Sequence, residues 1–565
     1  MKRSWNVLVA LLAITLAPAS VLSQRINNNV ADEVLRQKAY QTLESLADQL
    51  GSLQSGENRA RLGSNIAGSL WPHNEAKARQ IFSLVTKEIK SGLMDNYKDP
   101  DLAQQNFVKL REDTALRIAA HDPQFALTFL QDTTPTDVPI RDEDRNELNL
   151  RIAMVIAREH PDLALKLGRE SLKDGYLYEK NFSAYMGLLS ELKGTSPEQA
   201  AAMLAQLVKL APNQDIRHSM EREQFYIALA RLVEPTLRKE PPFRELMNFF
   251  TDVALNAGCG KEKHSDNDGF CYRLGLVVPL MEKIDPKRTA RLKYLGRRAA
   301  FPYEWSPEIS EYAEVYERDS IDNLLAMLPK YPEFRGFGQS VVIRKVLEAG
   351  DFSRARKLLD EFTWEASDKQ AVLKQIAEYE RVSNEDTSAE LLKEADGWRN
   401  EGETFNFLFR KATEIGTRNR QTTLKLLDRA SEGFDKSPEG KWKIQYQIGI
   451  AVRYCQVKSD RCFTMMEPVV QKMNELVAAA TKLESVDNRY LRNGEWNMTA
   501  AGGVGSLLTM LAQNAVYFGL YDFDRAITLS NGFERREIRM MAQLKLAQGV
   551  LDGPPTKPLY APQEH

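Results

Sequence analysis

From Val30 to Leu551 apolar residues recur every three to four positions, and Ala, Leu, Glu, Lys, Gln and Arg fill much of the space between them. That is the period of a helix with one buried face, written in residues that lose little freedom in a helix. Gly and Pro tend to fall between the periodic runs, where helices end. No convincing stretch of alternating β-branched residues bounded by turns breaks the pattern. It predicts an all-α protein.

The predicted helices come in repeated pairs. Ala115-Leu116-Arg117-Ile118-Ala119 precedes the turn His121-Asp122-Pro123, and Ala153-Met154-Val155-Ile156-Ala157 precedes Glu159-His160-Pro161. The second halves also match, Phe125-Ala126-Leu127 with Leu163-Ala164-Leu165. The offset of 38 residues returns, at 36, in Ser196-Pro197 followed by Ala200, Ala201, Met203 and Leu204. At each turn one helix ends and its partner begins, and Pro fits the first turn of the second helix because the amide it lacks has no intrahelical partner there. Farther along, Gly350-Asp351-Phe352-Ser353-Arg354-Ala355 is echoed by Tyr521-Asp522-Phe523-Asp524-Arg525-Ala526. In both, Asp caps the helix start, Phe staples it, and Ala lets the neighbouring helix approach. Weaker copies sit at Trp71-Pro72 and Asn419-Arg420.

Ala-rich hairpins of this kind, recurring at roughly 34–40 residues, resemble the tetratricopeptide-like α-solenoid superfamily. The resemblance implies an α-α superhelix (solenoid) of antiparallel helical hairpins in two stacked segments. It is one of architecture only. The Trp, Leu-Gly, Tyr and Pro consensus of strict tetratricopeptides is absent, so their grip on peptide tails is not carried over.

Two prolines in Phe301-Pro302-Tyr303-Glu304-Trp305-Ser306-Pro307 forbid a continuous helix. The chain is therefore read as a signal peptide (1–23), an N-terminal helical-repeat domain (24–300), a C-terminal one (301–552) and a disordered Pro-rich tail (553–565). The signal peptide rests on Lys2 and Arg3 ahead of an apolar run from Val7 to Ala17 and small residues around Ala19 and Ser23. The run is shorter than the ~20 apolar residues a membrane span needs. Cleavage after Ser23 would leave Gln24 first, with no transmembrane segment and a periplasmic or secreted destination. Removing Lys2 and Arg3 from 76 basic residues leaves 74 against 78 acidic ones, a net charge near −4 with both signs mixed. Nothing in that balance points to nucleic acid.

An oxidising destination makes the four cysteines, Cys259 with Cys271 and Cys455 with Cys462, two short-loop disulfides in the preferred pairing. The polar loop Lys261 to Gly269 falls inside the first pair, and its Asp266 and Asp268 are weak Ca²⁺ candidates beside His264. No cofactor is expected, and no catalytic motif appears: no GxSxG, GxxxxGK[ST], HExxH, CxxC or dinucleotide-binding glycine fingerprint. His121 and His160 occupy equivalent turns, and His73 sits beside another. Tyr303, Trp305 and Tyr312 are candidate groove-lining aromatics, or cement between the two halves. Glu495 to Ser506 looks like a glycine loop but runs into Leu507, Leu508 and Leu511 at helical spacing, which suits close helix packing. The function read from all this is an exported scaffold that binds a protein or peptide without catalysis. The alternative is an exported carbohydrate-active hydrolase on an α/α-toroid with paired carboxylates.

Overall fold

The structure, a computed structural model, describes residues 19–91, 100–134, 142–173, 175–213, 219–256, 274, 277–290, 321–328, 335–364, 366–398, 400–435, 440–487, 490–499 and 502–553. These residues are almost wholly helical, as the hydrophobic period predicts. They divide into two compact units, one made of Met1–Glu88 with Tyr316–His565, the other of Ile89–Val315.

The first unit opens with α1 (Ala19–Gln49), α2 (Gly56–Leu70) and α3 (Glu75–Lys90). The second unit holds α4 (Pro100–Ala119), α5 (Pro123–Asp132), α6 (Asp142–Ile156), α7 (Pro161–Glu170), α8 (Phe182–Thr195), α9 (Pro197–Leu210), α10 (Met220–Leu237), α11 (Pro241–Asn256), α12 (Val278–Ile284) and α13 (Pro286–Thr289). The chain then returns to the first unit. There it forms α14 (Ile321–Met327), α15 (Arg335–Glu348), α16 (Phe352–Glu361), α17 (Ala366–Asn384), α18 (Ser388–Ala395), α19 (Glu401–Ile415), α20 (Arg420–Asp435), α21 (Lys441–Gln456) and α22 (Arg461–Asp487). A two-stranded hairpin follows, β1 (Leu491–Arg492) against β2 (Glu495–Trp496), then α23 (Gly503–Tyr521), α24 (Phe523–Asn531) and α25 (Arg536–Asp552).

The hairpin signals in the sequence are the ones that set the helix starts. Asp122 accepts a hydrogen bond from the Phe125 amide at 2.9 Å and caps α5, with Pro123 in the first turn. Asp351 does the same for α16 through Arg354 N at 3.0 Å, and Asp522 for α24 through Arg525 N at 3.1 Å. His160 stands at the cap position of α7 but makes no side-chain cap bond. The alanines that follow the caps, Ala126, Ala164, Ala355 and Ala526, are all buried, so each lets an adjacent helix come close.

Within each unit, a helix packs chiefly on the helices one and two places along the chain: α6 on α7 and α8, α9 on α11, α21 on α22 and α23, α23 on α24 and α25. Several polar bonds between helices of successive pairs join residues 36–39 apart, and others join residues 29–33 apart. Arg151 pairs with Glu112 at a separation of 39, and Lys180 with Asp144 at 36. Arg420 donates to Val457 O at 37, and Lys425 pairs with Asp386 at 39.

One contact of the first unit is not local. α1 and α2 pack on α25, and the loop before α2 is clasped by the β-hairpin. The Glu495 carboxylate accepts from Gln54 N (2.7 Å), Ser55 N (3.0 Å) and Asn58 Nδ2 (3.2 Å). Asn58 Nδ2 also reaches Trp496 O at 3.0 Å, and Trp496 N donates to Glu537 at 2.6 Å. Lys38 with Asp524 and Arg536 with Ser52 O add bonds at the rim. Apolar burial of Ala39, Leu43, Leu46 and Leu50 on α1 and just beyond it supplies the bulk of the contact.

Candidate functional site

A cleft of about 600 Å³ opens where the C-terminal ends of α19, α21 and α23 meet, all within the first unit. The turn that closes α21 shapes its rim. Lys458 adopts a left-handed backbone (φ 55°), its amide bonds to Cys455 O at 2.9 Å, and the Ser459 amide bonds to Tyr454 O at 2.9 Å. That bond pattern usually ends a helix with glycine, as Gly350 (φ 76°) does after α15. Lysine there costs the chain more than glycine. Cys455 and Cys462 stand at disulfide distance across the turn, with Cα atoms 5.3 Å apart. From outside, Arg420 donates to Val457 O at 2.8 Å and to Lys458 O at 3.1 Å. On α19's side, Gly416 turns left-handed (φ 54°) and its carbonyl accepts from Thr423 Oγ1 at 2.8 Å.

The charge in this cleft is one-sided. Arg453, in the last turn of α21, and Lys458 line it together with Ala412, Tyr517 and Leu520, and no Asp or Glu does. Arg453 is half-buried, and loss of water pushes its pKa down. Its recorded hydrogen bond is from Nη1 to Gln456 Oε1 at 2.7 Å, and its guanidinium lies 5.8 Å from the centre of the Phe409 ring. The buried Tyr517 hydroxyl has its pKa raised by the same desolvation, against the pull of Arg453. Three helix C-termini offset part of the cationic charge, each by about 0.3–1 kcal/mol.

Compared with known proteins, the chain matches no family model, no curated protein and no solved structure.

Of the residues singled out in the sequence, Cys455 and Cys462 lie beside this cleft. Cys259, Cys271, Asp266, Asp268, His264, Tyr303, Trp305 and Tyr312 lie outside the described residues, as do residues 554–565 of the tail. The expected cleavage point at Ser23 falls inside α1. His73 stacks on Tyr40 with ring centres 4.2 Å apart, while His121 and His160 are exposed in their turns. The glycine stretch is divided: Glu495 and Trp496 form β2 and are buried, and Gly502 (φ 78°) and Gly503 (φ 47°) turn the chain into α23. Their role there is backbone reversal at a helix start.

Carboxylates gather in the second unit between α4 and α6. Glu112 pairs with Arg151 at 3.3 Å, and Lys180 bridges Asp144 (3.1 Å) and Glu147 (3.2 Å). Burial raises the Glu112 pKa, and Arg151 opposes the shift. Cations from neighbouring helices thus tie this cluster. Among the described residues, no group of three or more His, Cys, Asp or Glu is placed to hold a metal ion.

The sequence reading missed Arg453, Lys458 and Tyr517. A basic residue in a last helical turn reads as a dipole partner, and nothing local reveals that α19 and α23 end beside it. One signal was available: a lysine two residues past the end of an amphipathic helix, where glycine is the usual choice, inside a cysteine-stapled turn.

Proposed function

We propose that this chain is an exported helical-repeat scaffold that binds another protein or peptide. Packing of each helix chiefly on the helices one and two places along the chain, with several cross-pair bonds at 36–39 residues, carries the reading. Arg151 to Glu112 in the second unit and Lys425 to Asp386 in the first both span 39 residues. That supports stacked hairpins resembling the tetratricopeptide-like superfamily, an architecture whose repeats present long contact surfaces. Trp398 (43 % exposed) just before α19 and Trp442 (60 % exposed) in the first turn of α21 are anchors of the kind that dominate interfaces. No helix among the described residues is long and apolar enough to cross a membrane.

Two measurements test it. A photo-crosslinking residue at Trp398 or Trp442, expressed in the native host, is expected to give discrete protein adducts that the same residue at exposed Leu483 does not give. Adducts from neither tryptophan position, or one common set from all three, would refute the scaffold. N-terminal sequencing of the mature protein should begin at Gln24, and a chain that keeps Met1 and stays in the cytoplasm would refute export.

A further inference from the structure

We propose that the cleft at the ends of α19, α21 and α23 binds a small organic anion, an oxyanion head with a short apolar tail, through Arg453 and Lys458. This deepens the reading of the chain as a binding protein, on which it rests, by naming what one of its sites takes.

Four observations converge on that chemistry. The cleft, at about 600 Å³, is of the size that small ligands occupy. It is lined by two cations and no carboxylate, so its own charge selects an anion. Arg453 is half-buried in the cleft wall, and Gln456, a neutral acceptor, satisfies one of its five N–H groups. The remaining donors have the fork geometry that fits a carboxylate or phosphate. Lys458 is the residue at which the α21 turn goes left-handed, the position glycine fills at least cost and does fill after α15. A strained lysine on the rim, stapled through Cys455 to Cys462 and held by Arg420, places a second cation over the opening.

The apolar part of the ligand follows from the other walls. Ala412, Val457 and Leu520 offer carbon surface, and Leu520 is 38 % exposed, a large apolar side chain standing at the opening. Tyr517 lines the same wall and feels the charge of Arg453. A head carrying one or two negative charges would meet the guanidinium, with a chain of a few carbons lying toward Leu520.

Isothermal titration of the full mature chain at low salt tests this with four probes of equal length: hexanoate, hexyl phosphate, hexanol and hexylammonium. The expected result is saturable binding of hexanoate or hexyl phosphate, at least tenfold tighter than hexanol, with no heat from hexylammonium. The preferred anion identifies the head. Arg453→Met should weaken it at least tenfold. Lys458→Gly relieves the left-handed backbone, so it cannot fail by unfolding the turn, and should weaken binding several-fold.

Equal affinity for hexanol and hexanoate, binding unchanged in both variants, or no binding by any probe would overturn the proposal. A short peptide with a free C-terminus that binds more tightly than both hexanoate and its own amide would also overturn it, and would assign the cleft to polypeptide. Crosslinks from Trp398 and Trp442 report on the scaffold reading separately, because neither residue lines this cleft.

Discussion

Replacing Glu495 by alanine should release the N-terminal helices from the C-terminal ones. Its carboxylate is 9 % exposed and accepts three hydrogen bonds at 2.7–3.2 Å, two of them from the backbone amides that precede α2. A charge-assisted bond of this kind is worth about 1.5–3 kcal/mol. Removing the acceptor also leaves neutral donors unsatisfied, at about 1–3 kcal/mol for each that is buried. We take about 3–5 kcal/mol as the cost of Glu495→Ala. A chain of two units does not unfold in one step, so the effect is best read locally, by hydrogen exchange. Amides at the start of α2 and in the β-hairpin should exchange faster by a factor of about 10² to 10³, since 1.4 kcal/mol is tenfold. Asn58→Ala should act on the same amides, and the double variant should cost less than the sum of the singles. Asp524→Ala is the control: it removes an ion pair whose side chains are 40 % and 73 % exposed, worth under about 1 kcal/mol. Less than tenfold faster exchange in Glu495→Ala would refute the reasoning, as would an equal effect from Asp524→Ala.

Four further outcomes follow from particular contacts. Gly549→Ala in α25 puts a methyl group 2.6 Å from Val516 Cγ2 and 3.0 Å from its Cα, so overpacking should destabilise the first unit by about 1–3 kcal/mol, read as a lower urea midpoint of that unit's own transition. Gly187→Ala meets only the flexible end of Met154, 36 % exposed, and should cost less than Gly549→Ala on the same assay or even stabilise. Glu112 has a carboxyl pKa raised by burial, with Glu147, Asp113 and Asp144 adding to the shift against Arg151. Such a group contributes stability below its ordinary pKa of 4.5 and loses it as pH rises through the folded value. Glu112→Gln should therefore gain on the wild type in denaturant titrations as pH goes from 4 to 7, and a constant difference would refute the assignment. Cys455 and Cys462, seven residues apart, should appear as one cross-linked peptide in a non-reduced digest. Replacing both with Ser should destabilise the chain by about 2.5 kcal/mol from loop closure.

Legibility from sequence tracks how far apart the interacting groups lie. Helix starts at Asp122, Asp351 and Asp522 could be read because a cap and its amide are three residues apart, and the buried alanines beside them because a helix face repeats within one turn. The stapling of Cys455 to Cys462 is equally local. The clasp of Glu495 on Gln54, Ser55 and Asn58 joins positions about 440 residues apart, and no period of 3.6 or 38 residues predicts which turn meets which. In the sequence Glu495-Trp496 therefore read as the approach to a helix, when its carboxylate is the acceptor that holds the start of α2.

The same distinction explains why the cleft had no signature. Each of its walls is ordinary by itself: a basic last turn on α21, a glycine after α19, a tyrosine-rich end of α23. A helix end leaves about four carbonyls to satisfy and favours cations, so every local rule accounts for Arg453 without a ligand. Bringing three such ends together changes the balance. Each added apolar wall removes water from the guanidinium, while the carbonyls it gains are partly spent on intrahelical and capping bonds such as Thr423 to Gly416 O. The meeting of Arg453 and Lys458 with the ends of α19 and α23 therefore exists only in the assembled unit. Packed helix ends can create a charged site in this way from residues that each helix by itself would use only near its C-terminus.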